Sequence, residues 1–511
     1  MSLITSMNIS QQALLVNQAA LNVVSNNIAN VNTEGYSRQR VELSPGVNYT
    51  PMGGSAMDQV YASCGVEITS VQRYTDAYLQ SYYRDQNSSN SYLNQYSEVA
   101  SNVEGLTNEL TGSGLEDAFT KFYEAAQTLS LNPQDATARQ NYMQQAQTIA
   151  LKFNSLSTNF TDIRTSLVGD INITGSLESS KISGITSEAN NLLEQITGVN
   201  SDIVMMSSSN NPPGSLVDKR DQLITKLSAL IPVTVSDNTN GTINLSMNGL
   251  ELVNGTKQVA NLTLETGTTS DKPVIVKLKD MNGNVVSNSI NSYINSGTMG
   301  AVLDVGGPAT TDTLTIAGVL ADYDKLASGF ASIVNGIQLN ADASGTPMAI
   351  NSTTKKLIAS TEPIFESTSG GPITAGNLKI NSNIMTDPFL IAVARVNPLT
   401  TDTNAIGNNS NMLEVLKSRS ANSPLLGNAP PESALANVVG AIGLKNANIT
   451  NNLENQATVL SQAKTQLASV TGVNMDEELI DLTKYQTAYK ASSRVYTVCN
   501  ELLDILINLG K

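Results

Sequence analysis

From Met7 onward apolar residues recur at Met7, Leu14, Leu21 and Ile28, a spacing of seven, with Val24 and Val31 each three places after a member of that series. This spacing predicts a helix with one apolar side. The rest of its surface is Asn, Gln, Ser, Thr and Ala, and no charged side chain precedes Glu34. Without charged e/g pairs such a helix is marginal by itself. The stretch "ANVNTEGYSRQ" ends it, because Asn30, Asn32 and Gly35 supply turn chemistry and tolerate left-handed dihedrals.

Residues 36–71 alternate weakly and carry Pro45, Pro51, Gly53 and Gly54, which predicts an extended, loop-rich connection with a short strand at "GVEITSV". Helical patterning resumes near Arg73 and runs in segments to about Ser207, broken near 111–114 and at Pro133. Tyr74, Tyr78 and Tyr82 are four apart, as expected of a packed core face. A short helix is predicted from Ser215 to Leu230, after which the period switches to two. Ile243, Leu245 and Met247 alternate with polar residues, and Asn248-Gly249, Asn254-Gly255 and Asn282-Gly283 are hairpin dipeptides. Helix returns at about 312–341, a mixed loop-rich stretch extends to about 390, and three helical segments close the chain.

The predicted fold is therefore mainly α with inserted β. The N- and C-terminal helices (1–40 and 470–511) pair in a coiled-coil-like terminal domain. A mainly helical bundle body spans 41–230 and 306–469, with the mixed stretch at 342–390, and a small all-β outer domain occupies 231–305. Inserting β structure between two helical halves brings the first and last helices to the same end of the molecule.

Composition narrows the chemistry. The chain has 29 basic and 44 acidic residues, a net charge of −15, which disfavours nucleic acid and anionic membranes as partners. Histidine is absent, which removes the imidazole base and the commonest nitrogen ligand for transition metals. Cys64 and Cys499 lie far apart with no CxxC spacing and read as two lone buried thiols. No phosphate-loop, dinucleotide or nucleophile-elbow motif occurs, so neither an enzyme nor a cofactor site is expected. The start of the chain lacks the basic and apolar regions of a secretory signal, and no apolar run reaches the ~18 residues of a membrane span.

Two further clusters have structural readings. Asp476, Glu477 and Glu478 open the last helix, where acids complement the macrodipole, with Asn474 as N-cap and Glu477 as its capping-box partner. "SDNTNG" at 236–241 resembles a calcium loop but lacks its main carboxylates, and reads as a hairpin turn. The last helix carries one apolar stripe through Met475, Leu479, Leu482, Tyr489, Tyr496 and Leu503 and a second through Val495, Leu502, Ile505 and Leu509. Two stripes exceed what packing on one neighbour requires.

"SNNIANVNTEGYSRQ" together with "LIDLTKYQTAYKASSRVYTVCNELLDILINL" resembles the paired terminal signatures of the bacterial flagellar axial proteins, which include rod, hook and hook-associated members. "GYSRQRVEL", "GVEITSVQRYTDAYLQSYYR", "LVDKRDQLITKLSALIPVTVS", "DPFLIAVA" and "NAIGNNSNMLEVLKS" are similar to the junction-forming hook-associated branch rather than to hook or distal rod subunits. The resemblance covers about 1–260 and 310–511. It implies a non-enzymatic structural subunit between hook and filament, exported through the flagellar type III apparatus without signal cleavage and located outside the cell on the flagellum. Implied partners are other copies in a ring, the hook protein, a second hook-associated junction protein, and an export chaperone on the C-terminal helix. The implied assembly surface comprises Met7, Leu14, Leu21, Val24, Asn26, Asn27, Ile28 and Asn30 of the first helix. On the last helix it comprises Leu479, Leu482, Tyr485, Gln486, Tyr489, Tyr496, Leu503 and Leu506. Alternatives are a hook or distal rod subunit, and an enzyme or adhesin carried on a flagellar scaffold, which would need a polar pocket within 231–305.

Overall fold

A computed structural model describes residues 3–48, 62–107, 114–206, 214–269, 272–340, 345–396 and 405–509. The first helix, α1 (Leu3–Ala29), leads through the asparagine-rich turn into a ribbon of two antiparallel strands, β1 (Gln39–Asn48) and β2 (Ala62–Arg73). The expected strand at "GVEITSV" falls within β2, and β1 pairs with it where a loop-rich connection was expected. The register of the ribbon shifts at Glu42/Leu43 and again at Pro45/Val47, so bulges absorb the proline that masks the strand pattern in the sequence.

The body begins with α2 (Ala77–Thr107), α3 (Leu115–Leu131), α4 (Ala136–Val168), α5 (Lys181–Met206) and α6 (Gly214–Leu230). Asp135 caps α4 by accepting hydrogen bonds from the Thr137 and Ala138 amides, which stops α3 and α4 from merging across Pro133. The tyrosine stripe is not a core face. Tyr74 precedes the helix, Tyr78 is 74% exposed, and the Tyr78 and Tyr82 rings stack on each other at 6.3 Å near the surface.

After α6 the chain passes from helix to strand, where the switch to a period of two predicts it. β3 (Thr234–Asp237), β4 (Ile243–Met247), β5 (Leu250–Asn254) and β6 (Lys257–Gln258) form one antiparallel sheet, in that order. β7 (Ala260–Thr269), β8 (Lys272–Asp280) and β9 (Val285–Ser287) form another. Ile243, Leu245 and Met247 point inward. Asn248 and Gly249 join β4 to β5 with φ of 45° and 85°, the pair of positive angles that a type I′ turn needs. "SDNTNG" runs from β3 into the turn before β4. The β part stops short of 305, because α7 (Gly297–Gly306) is helical and packs on α2.

After α8 (Ile316–Leu339), the mixed stretch resolves into small sheets. β10 (Thr346–Ile350) lies between β11 (Leu357–Ala359) and β14 (Ala394–Val396), while β12 (Phe365–Ser367) pairs with β13 (Leu378–Ile380), followed by the short α9 (Ser382–Thr386). The chain closes with α10 (Ser410–Ser418), the long α11 (Pro431–Thr471) along α2, and α12 (Met475–Leu509) along α1. The core sits in the body, where Phe330 meets Phe119 edge-on at 4.8 Å and Phe122 at 5.5 Å, and Tyr142 tilts against Phe122. First and last helices lie together at one end, and the architecture is mainly helical with inserted β structure.

Candidate assembly site

Along α1 the most deeply buried positions are Ser10, Val16, Ala20, Val24 and Asn27, separated by three, four or six. Ala20, at 1% exposure, lies where α1 is covered by α12 and the β1–β2 ribbon together. Of the predicted positions, Val24 and Asn27 lie in this buried row. Met7, Leu14, Leu21, Ile28 and Asn30 are half-buried, and Asn26 is exposed. The spacing of seven therefore follows the flank of the seam, one position off its centre.

On α12 the covered row is Glu478, Leu482, Tyr485, Ala488, Ser492, Tyr496, Cys499 and Leu503, again three or four apart. Leu482, Tyr485, Tyr496 and Leu503 from the expected surface fall in it. Leu479, Gln486, Tyr489 and Leu506 face solvent. Cys499 is buried as expected, whereas the Cys64 side chain lies outside the described set. Beyond the seam α12 keeps a second apolar row uncovered: Ile480 is 68% exposed, Val498 53%, Leu502 44% and Ile505 55%. No helix of the described residues is long and apolar enough to cross a membrane.

Where this helical pair meets the body, three stretches of backbone run side by side. The Arg38 amide donates to the Thr471 carbonyl at 2.8 Å, and the Arg38 carbonyl accepts from the Tyr74 amide at 2.9 Å. The chain leaving α1, the chain entering α2 and the chain joining α11 to α12 are thereby laced together. Gly35, with φ of +77°, makes the turn into this joint, and Gln222 Nε2 holds the Glu34 carbonyl above α6.

Side chains secure the same place. Asn27, 1% exposed, bonds the backbone of Gln39 as a peptide would: its Nδ2 donates to the Gln39 carbonyl at 2.8 Å and its Oδ1 accepts from the Gln39 amide at 3.1 Å. The same Oδ1 accepts from the Tyr36 hydroxyl at 2.8 Å, and Nδ2 also reaches Glu478 Oε2 at 3.1 Å. Only an amide offers donor and acceptor together here. Asn30 serves the turn itself, donating to the Asn26 carbonyl and side chain and accepting from Thr33.

Arg38 grips the start of α12, with Nε 2.7 Å from Glu478 Oε1, Nη1 2.6 Å from Glu477 Oε2, and its guanidinium over the Tyr74 ring. Glu477 thus serves as an ion-pair partner of Arg38, while Asn474 caps the helix start by accepting from the Asp476 amide. Burial opposes the Arg38 charge, but the bonds and fields of Glu477 and Glu478 outweigh it and hold the guanidinium above its ordinary range. Burial, with Asp218 and Glu478 nearby, pushes the Tyr36 hydroxyl up to about 12. Arg73 fastens the end of β2 to α6 through Asp218 at 2.5 Å and Asp221 at 3.0 Å, and Arg84 of α2 joins Asp221 at 3.3 Å. Burial raises the Asp218 carboxyl despite Arg73.

Comparisons with known proteins follow the same division of the chain. The model "Flagella basal body rod protein" matches residues 7–36, and "Flagellar basal body rod FlgEFG protein C-terminal" matches 464–509, so both rod-type matches fall on the laced ends. "Flagellar hook-associated protein FlgK helical domain" matches 100–349, within the body and its β part. Flagellar hook-associated protein 1 of Bacillus subtilis is 27% identical, covering 98% of this chain and 97% of its own length. The proteins of that name from Salmonella typhimurium and Escherichia coli are 26% and 25% identical, each covering 98% of this chain and 99% of their own. The solved flagellar hook junction protein FlgK from Burkholderia pseudomallei superposes with a TM-score of 0.57 at 15% identity, over 76% of this chain and all of that one, and shares its fold. Over nearly its whole length the chain is thus similar to proteins named flagellar hook-associated protein 1, and at its two ends to the rod-type axial proteins.

Proposed function

We propose that this protein is a structural, non-enzymatic subunit of the bacterial flagellum that joins hook to filament, outside the cell, and assembles by its terminal helices. The observation that carries the reading is the uncovered apolar row on α12. A helix whose inner row already has α1 and whose outer row exposes Ile480, Val498, Leu502 and Ile505 has room for a second neighbour. The uncharged surface of α1 adds little desolvation cost to such contacts, and its amides can bond across copies. The assembly surface proposed in the sequence, from Met7 to Asn30 and from Leu479 to Leu506, thus divides between holding α1 to α12 and meeting other copies in a ring. Export unfolded through the type III apparatus, without signal cleavage and with a chaperone over α12, is consistent with an apolar row that would aggregate if displayed before assembly. The hook protein and a second hook-associated junction protein are the proposed neighbours on either side.

Trimming residues 1–40 and 470–511 tests this: a folded body that no longer joins hook to filament is expected, and filaments built by the trimmed chain would refute it. A hook or distal rod subunit is the second reading, favoured by the rod-type matches at both ends. Immunogold label confined to the hook tip supports the junction, whereas label along the hook supports this alternative.

A further inference from the structure

The charges of α12 are segregated in a way that its own molecule leaves unanswered. Lys490 and Arg494 are four apart, and Glu501 and Asp504 three apart, so each pair sets like charges on neighbouring helix positions. All four are exposed, and none makes a salt bridge among the described residues. The helix that α12 packs on cannot supply partners, because α1 carries no charge at all. These residues border the exposed row Ile480, Val498, Leu502 and Ile505, where charges between paired helices decide partner and register.

We infer that Lys490 and Arg494 of one copy pair with Glu501 and Asp504 of the next, and that this fixes an axial offset between neighbouring copies. The inference rests on the assembly reading above and specifies its geometry. Two copies aligned in parallel without offset would set Lys490 beside Lys490 and Glu501 beside Glu501, like on like. Sliding one copy by seven to fourteen residues brings opposite charges together, an offset of about 10–20 Å at the helical rise. The contact uses different residues on its two sides, so each copy keeps one set free for the next and assembly continues around a ring or helix. An antiparallel pair would also match the charges but would close as a dimer.

The test is sedimentation velocity of the full-length chain at low and high salt, with three variants. Lys490→Glu with Arg494→Glu, and separately Glu501→Lys with Asp504→Lys, are each expected to weaken association about tenfold at low salt. The fourfold swap is expected to restore it, and all differences should fade as salt screens the pairs. Melting curves should be shared by all variants, since the residues are exposed. Double variants that associate like the parent, a fourfold swap no better than the doubles, or a parent that stops at a dimer would each overturn the offset while leaving terminal-helix assembly standing. A parent that stays monomeric overturns the assembly reading, and the offset with it.

Discussion

Replacing Arg38 by alanine probes the laced joint directly. Glu478 is 1% exposed and relies on Arg38 Nε at 2.7 Å and Asn27 Nδ2 at 3.1 Å. Without Arg38 its carboxylate keeps only the amide, and an uncompensated buried charge costs about 3–5 kcal/mol. The Arg38 side chain is 20% exposed, so part of the bridge is already hydrated and the smaller range of about 2–3 kcal/mol applies. Opening of the joint should become roughly 30- to 150-fold more frequent. Glu478→Gln removes the charge along with the partner and should cost less, about 1–2 kcal/mol. Hydrogen exchange is the assay, because it reports local opening without requiring the body to unfold. Faster exchange at the Arg38 and Tyr74 amides, with α3 and α4 unchanged, is expected. Exchange within threefold of the parent at those amides, or a larger effect of Glu478→Gln than of Arg38→Ala, would refute the reasoning.

Gly35→Ala must hold φ near +77° and place a methyl 2.6 Å from the Gln222 side chain. A loss of about 1–2 kcal/mol in local stability, read by the same exchange, is expected. The Tyr36 hydroxyl is raised from 10 to about 12, so the folded state holds its proton where the unfolded chain releases it. Stability is therefore complete below pH 10 and falls as pH rises through 12, and Tyr36→Phe should make that fall shallower in urea melts. Ala20→Leu overfills the α1–α12 seam and should cost about 1–3 kcal/mol in the parent monomer. Leu502→Ser, on the uncovered row, should leave melting within about 0.5 kcal/mol yet abolish association.

Much of this was legible in the residues. Helix periods located α3 to α6, α8 and α12, and the alternation at Ile243, Leu245 and Met247 with the Asn-Gly turn located the inserted strands. In the ribbon the "GVEITSV" strand, inside β2, was legible, but β1 was not, because Pro45 and two bulges break the period of two on which such a reading depends. Tyr78 and Tyr82 keep helical spacing yet stack outside the core, since spacing defines a face without saying whether anything covers it. At the joint, Asn27 was legible as a helix-end amide, but its bond to Glu478 spans 451 positions of sequence. Glu477 and Glu478 looked like ordinary helix-start acids. Only the approach of Arg38, set by the Thr471 and Tyr74 backbone bonds, gives them a second role.

Those backbone bonds have a mechanical meaning. A domain hung on one strand of chain can swivel about single bonds. Here Arg38 holds three strands abreast, one hydrogen bond to Thr471 and one to Tyr74, with Arg73 clamping the base to α6. Such a flat strap bends across its thin direction but resists twisting about its length. Torque applied to the α1–α12 pair would therefore reach the body with little slack, while tilt between the two would remain soft. That combination is the behaviour of a universal joint's yoke.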